Sequence, residues 1–307
     1  MSRSYQVLTD EQIESFVTRG YVVLHDCFSR DAAKALTDKA WVRLGYDPED
    51  PSTWEQAVIH MPTHERFDVR EFAPKVWAAA CDLLGGEDRV KQPYTWGDGF
   101  IVNLHEGADR PWAPPSPSVG GWHKDGDFFR HFLDSPEQGL LTLVLWSDIE
   151  HRGRATFVAA DSVPVVARYL VEHPEGVLPT EFPVRSLIAE CSDFVEATGR
   201  VGDVYLLHPY ILHAKSQNLL GVPRLITNPP VHLKEPLSFN RPDPAEYSPV
   251  ELAVLRGLGV ESLDFQPTAP RERVIRSASP GSRGCSRKRR RVWLPSARRG
   301  DAGNRRG

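Results

Sequence analysis

Sulfur is scarce in this chain: 307 residues hold two methionines and four cysteines, and no Cys-x-x-Cys pair. Cys27, Cys81, Cys191 and Cys285 stand far apart, which excludes a disulfide scaffold and a thiolate metal site of the usual ligand spacing. They fit a reducing compartment, as ordinary buried or free thiols. Long apolar runs are also missing. Nothing approaches the ~18 consecutive apolar residues of a membrane helix. Met1-Ser2-Arg3-Ser4-Tyr5 leads straight into a helix signal, with none of the apolar stretch of a secretory leader. No internal repeat is visible. The expectation is a cytoplasmic protein without a membrane partner.

Basic residues are thin over most of the chain. Thirteen of the 37 lysines and arginines, but two of the 41 acidic residues, lie from Arg271 onward, so the tail carries +11 and the rest −15. An acidic body argues against a nucleic-acid-binding catalytic surface. The tail, with Ser286-Arg287-Lys288-Arg289-Arg290-Arg291, has no apolar period and is expected to be disordered. It reads as a solvated appendage, with a nuclear-import signal or an anion-binding arm as the functional alternative. The expected division is a catalytic domain over 1–268 and a basic tail over 269–307.

The body is long enough for one well-buried domain. Thr9 and Gln12 make a capping box for a first helix that Gly20 should end. Tyr21 to Leu24 reads as a strand, and Ser29 caps a second helix running to about Leu44. Asp47 to Ser52 is a loop. Apolar spacing predicts a helix over Phe72 to Leu84, ended by Gly85-Gly86. Phe100 to Leu104, Leu140 to Trp146 and Ala155 to Ala159 read as strands, Val163 to His173 as an amphipathic helix, and Ser248 to Gly257 as a last helix. Pro111 to Gly121, with four prolines, is too irregular for a strand and fits an active-site loop.

That loop leads into His123-Lys124-Asp125. Residues two apart on an extended chain point the same way, so His123 and Asp125 can grip one ion from a strand end. Two imidazoles and a carboxylate form the facial triad of non-haem Fe(II) oxygenases, with positions left open for cosubstrate and O2. Alone, an HxD triplet also fits a surface turn. The third ligand must come from a distant strand, and Gly202 to His213 supplies one: a Gly-Asp turn, an apolar run, a bend at Pro209 and a second short run. His213 and His208 are both candidates; five apart, they cannot both face one metal from a regular strand. Arg224 opens a β-prone segment one short turn later, and its guanidinium fork suits the far carboxylate of a bound 2-oxo acid. Asn103, on its own strand, is either a donor to a cosubstrate carboxylate or a structural amide. Trp96, Trp112, Trp122, Phe128 and Phe129 flank the motif and read either as core or as walls of a substrate site.

The runs Gly121 to Gly126, Leu143 to Glu150 and Gly202 to Arg224, with the N-terminal Leu8 to Ile13 and Gly20 to Leu24, resemble the phytanoyl-CoA dioxygenase family over roughly residues 6 to 235. The resemblance implies a mainly β fold with flanking helices, a double-stranded β-helix (jelly roll, cupin-like). It implies Fe(II) as metal, 2-oxoglutarate as cosubstrate and O2 as oxidant. It puts His123, Asp125 and His213 on the metal, Arg224 on 2-oxoglutarate and Trp146 in the cosubstrate pocket. Two positions depart from the pattern. Lys215 stands where relatives carry a hydroxyl that helps hold 2-oxoglutarate. Arg154 stands where they carry a small residue in a tight turn, and is expected to strain that turn or point to solvent. Asp125 argues against the halogenating variants, which need a small residue there.

The expected activity is hydroxylation of an unactivated C–H bond of a small organic molecule, with release of succinate and CO2. A catalytically silent jelly-roll protein that binds a small molecule is the alternative.

Overall fold

A computed structural model describes residues 5–274. Residues 275–307, with Cys285 and the arginine-rich run, lie outside the described residues, as do the expectations made for them.

The helices form where caps and periodicity place them. Helix α1 (Asp10–Arg19) has the Thr9–Gln12 capping box, and Gly20 ends it at φ 71°, a left-handed conformation that glycine adopts without the Cβ clash. Strand β1 (Tyr21–Leu24) follows, then α2 (Arg30–Leu44), capped by Ser29. Strands β2 (Val58–His60) and β3 (Arg66–Asp68) precede α3 (Val69–Phe72) and α4 (Pro74–Leu84). The single helix expected from Phe72 is thus broken at Ala73, because Pro74 starts a new helix at its first position. Strands β4 (Thr95–Gly97), β5 (Ile101–Asn103), β6 (Leu140–Leu145) and β7 (Thr156–Ala159) come next, then α5 (Ser162–Val171) and α6 (Val184–Ile188). Strands β8 (Phe194–Ala197), β9 (Val204–Leu207), β10 (Leu212–Lys215), β11 (Arg224–Thr227) and β12 (Pro230–Val231) precede α7 (Pro249–Leu258), which repeats the capping box with Ser248 and Glu251.

All strand pairs are antiparallel. One sheet runs β1-β9-β6-β11-β5-β2, with β12 added beside β6; a second runs β10-β7-β8; β3 and β4 form a hairpin. Helix α7 packs against α1, α4 and α5. The architecture is mixed α/β, since helices hold more of the described residues than strands do. The expectation of a mainly β chain is corrected accordingly. Among the described residues the ladders make separate sheets, not a closed barrel, so the jelly-roll expectation is met only as far as two antiparallel sheets lining one cavity. No helix among the described residues is long and apolar enough to cross a membrane.

The compact unit ends at Val274, beyond the boundary expected at 268. Arg271 pairs with Asp134 at 2.6 Å, Glu272 pairs with Arg130, and the Val274 N–H donates to the Phe128 carbonyl at 2.9 Å. Specific partners on the body hold a segment whose composition alone reads as tail.

Candidate metal centre

The cavity between the two main sheets measures about 510 Å³. Alternation along each strand decides what enters it. On the large sheet Leu141 and Leu143 of β6, Leu207 of β9, Ile101 and Asn103 of β5, and Arg224 and Ile226 of β11 line it; from the small sheet come Thr156, His213 and Lys215.

His123 and His213 are joined by backbone hydrogen bonds in both directions, 2.9 and 3.0 Å, so the HxD segment extends the small sheet beside β10. A directly paired position puts both side chains on one face. The imidazole centroids lie 4.2 Å apart, and the three candidate ligand atoms of His123, Asp125 and His213 all fall within 4.8 Å of one another. Each Nδ1–H donates to a carbonyl two residues earlier: His123 to Gly121 at 2.8 Å and His213 to Ile211 at 3.3 Å. That fixes the tautomer and leaves both Nε2 atoms turned toward Asp125 Oδ1, at 3.4 and 3.5 Å.

Asp125 is held from behind. Asn228 Nδ2 donates to its Oδ2 at 2.8 Å, which leaves Oδ1 to face the imidazoles. Burial works to raise the carboxyl's pKa, but the charges and hydrogen bonds of His213 and His123 outweigh it and hold the group well below the usual carboxylate range. For His123 burial works downward, and the Asp125 hydrogen bond and charge turn the net shift upward. Gly126 follows at φ 111°, and a Cβ there would stand 2.6 Å from the Phe129 ring, so the turn behind the carboxylate requires glycine. His213 is buried, whereas the His123 side chain is 48% exposed and marks the side of the triad open to solvent.

Arg224 and Asn103 are opposed across β11 and β5, and both are buried and face the cavity. Arg224 Nη2 donates to the Thr156 hydroxyl at 2.6 Å, bridging the two sheets, while its Nε has no partner. Asn103 Oδ1 is likewise unpartnered. Burial first, then the charge of Arg154, pushes the Arg224 pKa down to about 9. An isolated buried guanidinium is costly, so this arrangement suits an incoming carboxylate.

His208 is set apart from the triad. Tyr210 N–H donates to its Nδ1 at 3.1 Å, so Nε2 carries the proton and donates to the Val250 carbonyl at 3.2 Å. With both nitrogens committed to backbone, it leaves the third ligand position to His213.

One expectation is corrected and two alternatives left open by the sequence are decided. Trp146 does not line the cavity. It has the opposite parity to Leu141 and Leu143, and it packs among Phe28, Phe67, Phe72, Trp96 and Phe100 with its Nε1–H on Thr227 at 2.9 Å. Arg154 does not point to solvent. At φ 70° its turn is left-handed, yet the side chain is 3% exposed, lines the cavity and pairs with Glu106. Of the five flanking aromatics only Trp122 lines the cavity; Trp112 packs on Phe157, and Phe128 and Phe129 on each other. Lys215 bonds Glu106 Oε1 at 2.9 Å. Asn228 and Thr156 were not singled out by the sequence. The available signal was parity: Asn228 is the third in the series Arg224, Ile226, Asn228 that faces the cavity.

No family model and no curated protein matches the chain. Among solved structures it is similar to HygX from Streptomyces hygroscopicus with nickel and 2-oxoglutarate bound (20% identity, 72% of this chain and 85% of that one, TM-score 0.39). It is also similar to EctD from S. alaskensis with bound Fe (20%, 78% and 85%, 0.43) and to AviO1 from Streptomyces viridochromogenes Tue57 (16%, 78% and 100%, 0.43). Likenesses this remote carry no argument about function, and the chemistry rests on the site's own atoms.

Proposed function

We propose that the chain is an Fe(II)- and 2-oxoglutarate-dependent oxygenase that hydroxylates an unactivated C–H bond of a small organic molecule. One observation carries the reading: a His-Asp-His cluster and a buried arginine without a carboxylate partner share one cavity. Two imidazoles and a carboxylate alone also suit zinc. The uncompensated guanidinium adds the demand for an anionic cosubstrate, and the triad leaves coordination positions open for it.

The residues fit the group. His123 and His213 would ligate through Nε2 and Asp125 through Oδ1, with Asn228 restraining the other carboxylate oxygen. Arg224, backed by Thr156, would pair with the distal carboxylate of 2-oxoglutarate. Asn103, paired with it in register, would donate from its Nδ2 to the same carboxylate. When bound, iron and 2-oxoglutarate supply the oxidation: O2 and 2-oxoglutarate give succinate and CO2, and one oxygen atom enters the substrate. The chain orients the reactants, and Leu141, Leu143, Leu207 and Ile226 keep water from the cosubstrate end of the cavity.

Anaerobic addition of Fe(II) and then 2-oxoglutarate to metal-free protein should produce a weak visible charge-transfer band and raise the melting temperature. Succinate should form when O2 and a substrate are admitted. A band without succinate across a broad panel would favour a silent binding protein, and no band with no stabilisation would sink the reading.

A further inference from the structure

A second cavity of about 590 Å³ adjoins the triad cavity and shares Gly121, Arg154 and Lys215 with it. Phe157, Pro111 and Val119 give it apolar walls, and its charged lining is Glu106, Arg110, Arg154 and Lys215. Three cations therefore face one carboxylate, and that carboxylate is already engaged. Glu106 accepts from Lys215 Nζ at 2.9 and 3.2 Å and pairs with Arg154. Burial works to raise its pKa, but Lys215 and Arg154 together hold it below its ordinary value. A cationic ligand would have to pull Glu106 from a guanidinium that is 3% exposed and already has an unpartnered Nε. An anion meets no such obstacle. Arg110 is 66% exposed, and its nearest carboxylate, Asp109, lies at 3.8 Å, so its head is available. Arg224 does not line this outer cavity, which separates it from the place suited to the cosubstrate.

We propose that the outer cavity is the substrate subsite and that it selects a small amphipathic carboxylate. The carboxylate pairs with Lys215 and Arg110, the apolar body lies against Phe157, and the far end reaches the triad past Gly121 and Arg154. The inference rests on the oxygenase reading for the word substrate, but the binding it describes can be measured without turnover. Charge-assisted hydrogen bonds to such an anion are about twice as strong as neutral ones, which gives the site its discrimination.

The test uses three probes of one shape: 3-phenylpropionate, 3-phenylpropanamide and 3-phenylpropylamine. Each is titrated calorimetrically into the full chain, both metal-free and loaded with Mn(II) and 2-oxoglutarate. The acid should bind at least about tenfold tighter than the amide or the amine in both forms. Lys215→Met and Arg110→Gln should each remove most of that preference, and both side chains are exposed enough for the fold to tolerate the change. Arg110→Gln, at a residue outside the triad cavity, should leave 2-oxoglutarate affinity unchanged. Equal behaviour of the three probes, bound or not, overturns the proposal. So does an acid preference that survives both substitutions, or acid binding that 2-oxoglutarate displaces, which would put the acid in the inner cavity. Acid binding to the metal-free chain with no uptake of Mn(II) and 2-oxoglutarate would instead uphold the anion site and sink the oxygenase reading, so the two failures are distinguishable.

Discussion

Replacing Arg224 with methionine should make the ligand-free protein more stable and abolish tight 2-oxoglutarate binding. The guanidinium is buried, its side-chain partner is the neutral Thr156 hydroxyl, and its pKa is pushed well below the ordinary arginine value to about 9, by burial and then by Arg154. A shift of that size corresponds to a cost on the order of 5 kcal/mol, at about 1.4 kcal/mol per unit. The sign is fixed by linkage. A base whose pKa is depressed on folding binds fewer protons in the folded state from about pH 9 up to its ordinary value, so the charge destabilises the fold fully at all pH values below about 9. Methionine removes the charge and keeps an unbranched apolar stem as far as the Nε position. Part of the gain is lost because Thr156 is left without its donor, about 1–3 kcal/mol, which leaves a net stabilisation of roughly 2–4 kcal/mol.

Binding should move the other way. Truncating one side of a buried charge pair costs about 2–5 kcal/mol, so the Kd for 2-oxoglutarate should rise at least about thirtyfold. With Mn(II) present and 2-oxoglutarate at about 1,000 times the wild-type Kd, wild type gains about 4 kcal/mol and a variant weakened thirtyfold about 2, so ligand narrows or closes the stability gap. Urea unfolding with and without ligand, with calorimetric titration, reads both halves. A ligand-free variant less stable than wild type refutes the energetic argument. Unchanged 2-oxoglutarate affinity refutes the cosubstrate role.

Three further outcomes follow from other contacts. Asn228→Ala removes the donor to Asp125 Oδ2 and should weaken Fe(II) or Mn(II) binding about 10- to 100-fold in a competitive titration with circular dichroism unchanged; wild-type affinity would contradict the restraint assigned to it. His208 is driven to a pKa of about 3, mainly by burial, so the unfolded chain takes up its proton below about pH 6.5 while the folded one does not. Stability should therefore fall as pH drops from about 6.5 toward 3, and His208→Gln should remove about 1.4 kcal/mol per pH unit from that slope; parallel profiles would rule this out. Ending the chain after Thr268 removes the Arg271–Asp134 and Glu272–Arg130 pairs and should cost about 2–4 kcal/mol in denaturant unfolding, whereas ending it after Val274 should change stability by less than about 0.5 kcal/mol; equal effects would show that these contacts contribute nothing.

Local signals foretold much of the fold and tertiary ones did not. Thr9–Gln12 and Ser29 act within one helical turn, so α1 and α2 were readable with their ends. Strands of three residues such as Val58–His60 and Thr95–Gly97 are too short to show alternation and exist because a neighbour supplies their hydrogen bonds. The balance of helix to strand was misjudged for the same reason: an ordered series of motifs implied sheets, and says nothing about how many helices surround them.

At the site, legibility followed parity. His123 and Asp125 are two apart, and Arg224 and Asn103 are opposed in register, so a period of two brings each pair to the cavity. Trp146 failed the same rule. It lies five residues from Leu141 and three from Leu143, both cavity-facing, and so belongs to the opposite face, where five aromatic rings receive it. Arg154 could not be settled by any local rule, because its direction depends on Glu106, 48 residues away and itself pinned by Lys215. Arg154 and Lys215 are therefore one feature. Arg154 brings a positive charge into the wall, Lys215 adds a second, and Glu106 neutralises one of the two. What remains is a net positive wall between the metal cavity and its neighbour, a property that no single position in the sequence displays.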